Sequence, residues 1–183
     1  MFRRLRLQFI MIASLAILFI LVFTVGIINT VRSFQTEQEI SKVLNTLTEN
    51  NGSFGKTKKI ETNQGREIPS DSFRFFSVTL SDDKIVSQDT SHTSLINDEE
   101  AARYALTVSR LTNNLGTIRE KNINLSYQVS KVSKDKILVV FLDTTSYYNS
   151  SQALLSLSIL LSLFGFIFFV VIVSALSGIV IRP

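Results

Sequence analysis

Charge is absent from two long stretches of the chain and frequent between them. Residues 7–28 (LQFIMIASLAILFILVFTVGII) and 153–181 (ALLSLSILLSLFGFIFFVVIVSALSGIVI) hold no Asp, Glu, Lys or Arg over 22 and 29 positions. A helix rises about 1.5 Å per residue, so even the shorter block reaches about 33 Å and crosses a hydrocarbon core of about 30 Å. The pattern predicts two transmembrane helices. Beyond the first, Val31, Phe34, Gln38, Ile40, Val43, Leu44 and Leu47 fall mostly at helical spacing, with Glu37, Glu39 and Lys42 between them. The helix is therefore expected to continue outward over 29–49, until NNGSFG breaks it.

The next segments change period. Residues 50–72 are rich in Asn, Gly, Ser and Lys and predict a connection with one short strand at KKIET (58–62). FRFFSVTL (73–80) and KIVSQDT (84–90), joined by SDD, predict a hairpin. NDEEAARYALTVSRL (97–111) opens on a capping residue and acids and sets Ala101, Ala105, Val108 and Leu111 on one face, the pattern of an amphipathic helix. A short strand is expected at 116–120. INLSYQVSKVS (123–133) then alternates, with Ile123, Leu125, Tyr127 and Val129 against Asn124, Ser126, Gln128 and Ser130. KDK turns the chain into ILVVFLDTT (137–145), apolar enough for a central strand. A polar stretch, 146–152, leads as helix into the second apolar block. The order predicts an α+β domain over 50–145, an antiparallel sheet of five strands with helices covering one face.

Charge orients this layout. All 15 acidic residues and 15 of the 19 basic ones lie between 31 and 152, so the net charge of +4 comes from Arg3, Arg4, Arg6 and Arg182. Basic residues beside membrane helices stay cytoplasmic, which predicts residues 1–6 and 182–183 inside and 31–152 outside. The pI near 9.5 is then an orientation signal and gives no footprint for nucleic acid. MFRRLR would also open a signal peptide, but the apolar run exceeds the 7–15 residues of a signal core and no A-x-A-like site follows. The chain has no cysteine, which rules out disulfides and thiolate metal sites.

Few residues suggest chemistry. The GKT at 55–57 ends like a phosphate-binding loop, but that motif needs a glycine where Asn50 stands and a preceding strand. His92 is the only histidine, and with Ser91 and Asp89 it forms a catalytic set on paper only, since neighbours in one loop lack the required geometry. It reads as a solvated loop residue. The carboxylates of NDEE (97–100) suit a helix N-terminus. Asp143 ends an apolar strand and needs a partner or solvent, and Arg74, Arg103 and Arg119 are available to pair with it. No catalytic residue and no metal ligand set emerges. In the second apolar block Ser158/Ser162 and Ser174/Gly178 are small-xxx-small pairs of the kind that let helices approach closely in lipid, pointing to a homodimer.

This layout resembles the input half of a bacterial two-component sensor histidine kinase. FRFFSVTLSDDKIVSQDT is similar to the first hairpin of the extracytoplasmic PAS-like sensor of kinases from clostridia-like Gram-positives, with SDDK in place of a glycine turn. LSYQVSK…KILVVFLDTTSYYNSSQALLSLS is similar to the end of that sensor, and GIVIRP to the junction where Arg182 and Pro183 would open a cytoplasmic signalling helix. The resemblance implies a two-pass protein of the bacterial cell membrane whose kinase core, with its ATP, Mg and response-regulator partner, follows Pro183. SHTSL at 91–95 lacks the Glu and Pro of the family's phospho-accepting box, so no catalytic role is carried over. The stimulus would be a small molecule or an envelope protein, in a pocket between sheet and helix lined by Arg103, Tyr104 and Tyr127. Chemoreceptors and cyclic-dinucleotide cyclases share this input plan, and a membrane-anchored structural or assembly protein is the alternative of another class.

Overall fold

The computed structural model describes residues 2–55, 59–61, 65, 67–120 and 122–180. Arg182 and Pro183, and Lys56 and Thr57 of the GKT, lie outside them. Helix α1 spans Phe2–Glu49. Strands β1 (Lys59–Glu61) and β2 (Glu67–Pro69) pair antiparallel and lead through a 3-10 turn, Ser70–Ser72, into β3 (Phe75–Ser81) and β4 (Lys84–Asp89). Helix α2 (Asp98–Ser109) follows, then β5 (Leu115–Glu120), β6 (Ile123–Ser133), β7 (Lys136–Asp143) and helix α3 (Thr145–Val180). The chain divides into two compact units, Met1–Phe34 with Ser150–Pro183, and Gln35–Asn149.

In the first unit, α1 and α3 are both long and apolar enough to cross a membrane. Many of their large apolar side chains within this unit are exposed, with Phe19 and Leu161 at 71% and Phe164 at 73%. A helix buried in a soluble core would show the opposite. Contiguous apolar surface of this extent is compatible with a membrane span or a protein contact.

The second unit is an α+β fold built on a five-stranded antiparallel sheet, in the order β4-β3-β7-β6-β5. β7 is central as its apolar run predicts, and it pairs with β3 from Phe75↔Leu142 to Ser81↔Lys136. Alternation along these strands sorts the side chains into two cores. Phe76, Val78, Leu80, Val139, Phe141, Leu125 and Tyr127 face one side, where Ala101, Tyr104, Ala105 and Val108 of α2 cover them. Phe76 stacks on its cross-strand partner Phe141 with ring centroids 4.6 Å apart. Phe75, Leu138, Val140 and Leu142 face the other side and meet Ile40, Val43, Leu44 and Leu47 of α1.

That second core corrects the expectation of helices on one face only. Both faces are covered, because the outward stretch of α1 is amphipathic and its apolar stripe has the matching sheet face to bury. Residues 35–49 thus belong to the folded unit as a wall of its core.

The connections follow from local chemistry. Asp82 and Asp83 both take positive φ, 48° and 59°, the two-residue turn that matches strand twist and that aspartate tolerates without glycine. β4 and β5 lie at opposite edges, so the chain between them must cross the sheet, and α2 is the crossing element. Its start is a capping box: Asn97 accepts from the Glu100 N–H at 2.8 Å while the Glu100 carboxylate takes the Asn97 N–H at 3.4 Å. α1 ends where Asn51 and Gly52 turn left-handed and the Gly52 N–H reaches back to the Leu47 carbonyl at 2.8 Å. The strand expected within KKIET is β1. Its partner β2 had no period to announce it, and the exposed pair Lys59–Glu67, 2.6 Å apart, bridges the ribbon.

Candidate functional site

Of the residues expected to line a pocket between α2 and the sheet, two lie in the core there and one lies outside it. Tyr104 and Tyr127 are buried in the α2 core, each with its ring about 6 Å from Phe141 (6.5 Å and 6.2 Å). Arg103 lies outside that core, over the Tyr104 ring and 3.4 Å from Glu120. Tyr127 also covers Gly116 on the edge strand, where an added Cβ would meet its hydroxyl at 2.5 Å.

A cavity of about 210 Å³ opens on the other face of the sheet. Glu37, Ile40, Ser41 and Leu44 of α1 form one wall, Leu115, Gly116 and Thr117 of β5 with Ser126 of β6 form the floor, and Tyr148 of α3 closes one side. The helical period of α1 puts residues 37, 40, 41 and 44 on one stripe, and the two-residue period of the strands turns Leu115, Thr117 and Ser126 toward it. Among the described lining residues Glu37 carries the only formal charge.

A line of hydroxyls leaves this cavity and ends at the start of α3. Thr117 Oγ1 and Ser126 Oγ are 3.1 Å apart, as are Ser126 Oγ and Thr144 Oγ1, and Thr144 Oγ1 donates to the Asn124 carbonyl at 3.1 Å. A hydroxyl has one proton to give. Thr144 gives its own to Asn124, so Ser126 must donate to Thr144, and Thr117 must donate to Ser126. Ser126 and Thr144 are both buried, Thr144 completely.

The first turn of α3 is fastened by polar contacts around this point. The Thr144 N–H also donates to the Asn124 carbonyl at 2.8 Å, and the Asn124 N–H donates to Thr145 Oγ1 at 2.9 Å. The Asp143 carboxylate accepts the Thr145 N–H at 2.9 Å. Its partner is thus a helix N-terminus, where negative charge is favoured, and none of the three arginines considered for it is shown paired with it. Arg119 lies over the Tyr148 ring at 5.5 Å instead. The Tyr147 hydroxyl donates to Glu39 of α1 at 3.2 Å, and Gln128 of β6 donates to Asn45 of α1 at 2.8 Å. One small region therefore joins α1, the β5–β6 hairpin and α3.

The other candidates lie elsewhere. His92 is exposed but stacks on Phe75, with centroids 4.4 Å apart and planes within 16°, where a fully solvated ring was expected. Ser91 Oγ donates straight to Asp89 at 2.6 Å without passing through the imidazole, so the three form no relay. That hydroxyl, and next the Ser91 N–H, hold the Asp89 carboxyl below its ordinary value. Among the described residues no group of three or more His, Asp and Glu side chains is placed to hold a metal ion. In α3, Ser158 and Ser162 are one turn apart, and the Ser158 hydroxyl donates to the Leu154 carbonyl at 2.8 Å. Ser174 is half-buried, and the surroundings of Gly178 lie outside the described residues.

The sequence contained the signal for the hydroxyl line in Ser126, on the polar face of an alternating strand, whereas Asn124 joins the line through its backbone alone. It contained none for the cavity, whose walls come from positions about 80 and 110 residues apart along the chain. Comparison with family models, with curated proteins and with solved structures finds no match to this chain.

Proposed function

We propose that this chain is the signal-input module of a transmembrane receptor of the sensor histidine kinase type. In this reading α1 and α3 cross the bacterial membrane, residues 31–152 lie outside, and the unit Gln35–Asn149 is a PAS-like sensor. The observation that carries it is continuity. Each helix long enough to cross a membrane runs unbroken into the folded unit, α1 supplying one wall of its core and α3 beginning at the hydroxyl line. A stimulus shifts a receptor only through different affinity for two states, and such helices are suitable elements to hold those states. An antiparallel sheet whose first and last strands lie side by side at its centre, with a helix crossing from the second strand to the third, supports the PAS-like reading.

The test joins the intact chain to a histidine kinase core that drives a transcriptional reporter in bacterial cells. Thr144→Val and Tyr147→Phe, which break the fastening of α3, should move reporter output about threefold or more from the parent level, the scale of one lost hydrogen bond. Ser87→Ala, on the exposed edge strand β4, should leave it unchanged. Output indifferent to both fastening variants, and to removal of residues 50–145, would reject the input role.

A further inference from the structure

The direction of the hydroxyl line bears on what the cavity can hold. Because Thr117 spends its proton on Ser126, it can offer the cavity only lone pairs. Ser126, which donates to Thr144, is likewise an acceptor on its cavity side. Glu37 adds a carboxylate, an acceptor with negative charge. Ser41 and Tyr148 carry hydroxyls that can donate or accept, so the polar lining holds three groups that only accept and one sign of charge. Ile40, Leu44 and Leu115 add a short apolar surface beside it. With about 210 Å³ against about 30 Å³ for each liquid water, the space suits a ligand of a few heavy atoms, below the usual drug-sized pocket.

We infer that this cavity is a binding site for a small primary ammonium group on a short carbon body. The ammonium has three donors and no acceptor, which matches Glu37, Thr117 and Ser126. An anion would meet Glu37 unpaired. A neutral diol could still donate to the Glu37 carboxylate, but it lacks the opposite charge and has two donors for three acceptors. A donor placed on Thr117 also polarises the line behind it, since each hydroxyl that accepts more strongly donates more strongly. Occupancy is therefore read at Thr144, where α3 begins. This deepens the input reading by naming the ligand class, and rests on it for the role of α3. The same chemistry occurs in free amines and in the phosphatidylethanolamine headgroup.

The experiment uses the full chain in maltoside micelles, where no lipid headgroup competes. Ethanolammonium is titrated against its neutral and anionic counterparts, ethylene glycol and glycolate. Tyrosine fluorescence reads the site through Tyr148, with no tryptophan in the chain to mask it. Ethanolammonium should give a saturable change. Glu37→Gln and Thr117→Val should each weaken it about tenfold, the scale of one charge-assisted contact. Glu37 is exposed, so its replacement tests the charge without disturbing the core. A saturable response to glycolate or ethylene glycol as strong as that to ethanolammonium overturns the inference. So does no saturation at all, or affinity unchanged in both variants. Nanodiscs with and without phosphatidylethanolamine then separate the sources: loss of the titration in the first marks the headgroup as occupant, and retention marks a soluble amine. Hydrogen exchange at 144–148 is read in parallel. Slower exchange on binding supports the coupling to α3. Binding with unchanged exchange keeps the ligand class and counts against the input reading.

Discussion

Gly52 shows how a single backbone position sets the geometry of the folded unit. It turns the chain off α1 at φ +86°, and it does so where the helix end passes over β3. An added Cβ would stand 2.4 Å from Ser77 Oγ and 2.6 Å from Ser77 Cβ, so both conformation and space demand glycine. Gly52→Ala should therefore cost about 2 kcal/mol or more, combining positive-φ strain with overpacking. Thermal unfolding of the full chain in micelles, followed by circular dichroism, measures it. Asp89 supplies a second residue-level prediction. Its carboxyl is depressed by the Ser91 hydroxyl and N–H, so the stabilisation is present above the ordinary aspartate value of about 3.9 and lost as pH falls through the lower folded value. The 89–92 loop should hold its order at pH 4 and loosen only in stronger acid. Amide exchange at Ser91 across that range reads it, and Asp89→Asn should abolish the pH dependence.

Among the elements, the clamp at α3 depends on polar contacts more than on apolar packing. Thr144 is fully buried, and replacing its hydroxyl by a methyl group keeps its volume while leaving the Ser126 proton without an acceptor. Thr144→Val should cost about 1–3 kcal/mol and speed hydrogen exchange over 145–148 first, ahead of the β3–β7 pair. What could be read from sequence divides along the same line. The hairpin at Asp82–Asp83, the helix start at Asn97 or Asp98 and the alternation from Ile123 to Val129 are local patterns, and each appears in the fold where it was expected, with Asn97 as the cap. The second covered face was not legible, because the stripe of Ile40, Val43, Leu44 and Leu47 shows that a helix is amphipathic without showing what it meets. Nor was the role of Asp143. A carboxylate at a strand end looks like half of an ion pair until the next helix is seen to begin two residues later. The filled core at Tyr104 and Tyr127 and the open cavity at Thr117 likewise depend on side-chain volumes meeting across elements distant in sequence.

For the molecule as a whole, the decisive quantity is helix length against bilayer thickness. α1 has 48 residues and α3 has 36, about 72 Å and 54 Å at 1.5 Å per residue. A hydrocarbon core takes up about 30 Å, so each helix is long enough to cross one with length to spare. The proposed orientation of the pair rests on the charge distribution, with Arg3, Arg4 and Arg6 clustered at the start of the chain and the middle segment balanced. The absence of cysteine makes this directly measurable, since any thiol introduced is the only one present. Arg4→Cys and Ser87→Cys both place it at exposed positions. In intact cells a membrane-impermeant maleimide should label Ser87→Cys at once and Arg4→Cys only after permeabilisation. Labelling of both without permeabilisation, or the reverse order, would reject this orientation. The folded unit would then face the other compartment, where free amines, nucleotides and effector domains are differently available to its cavity.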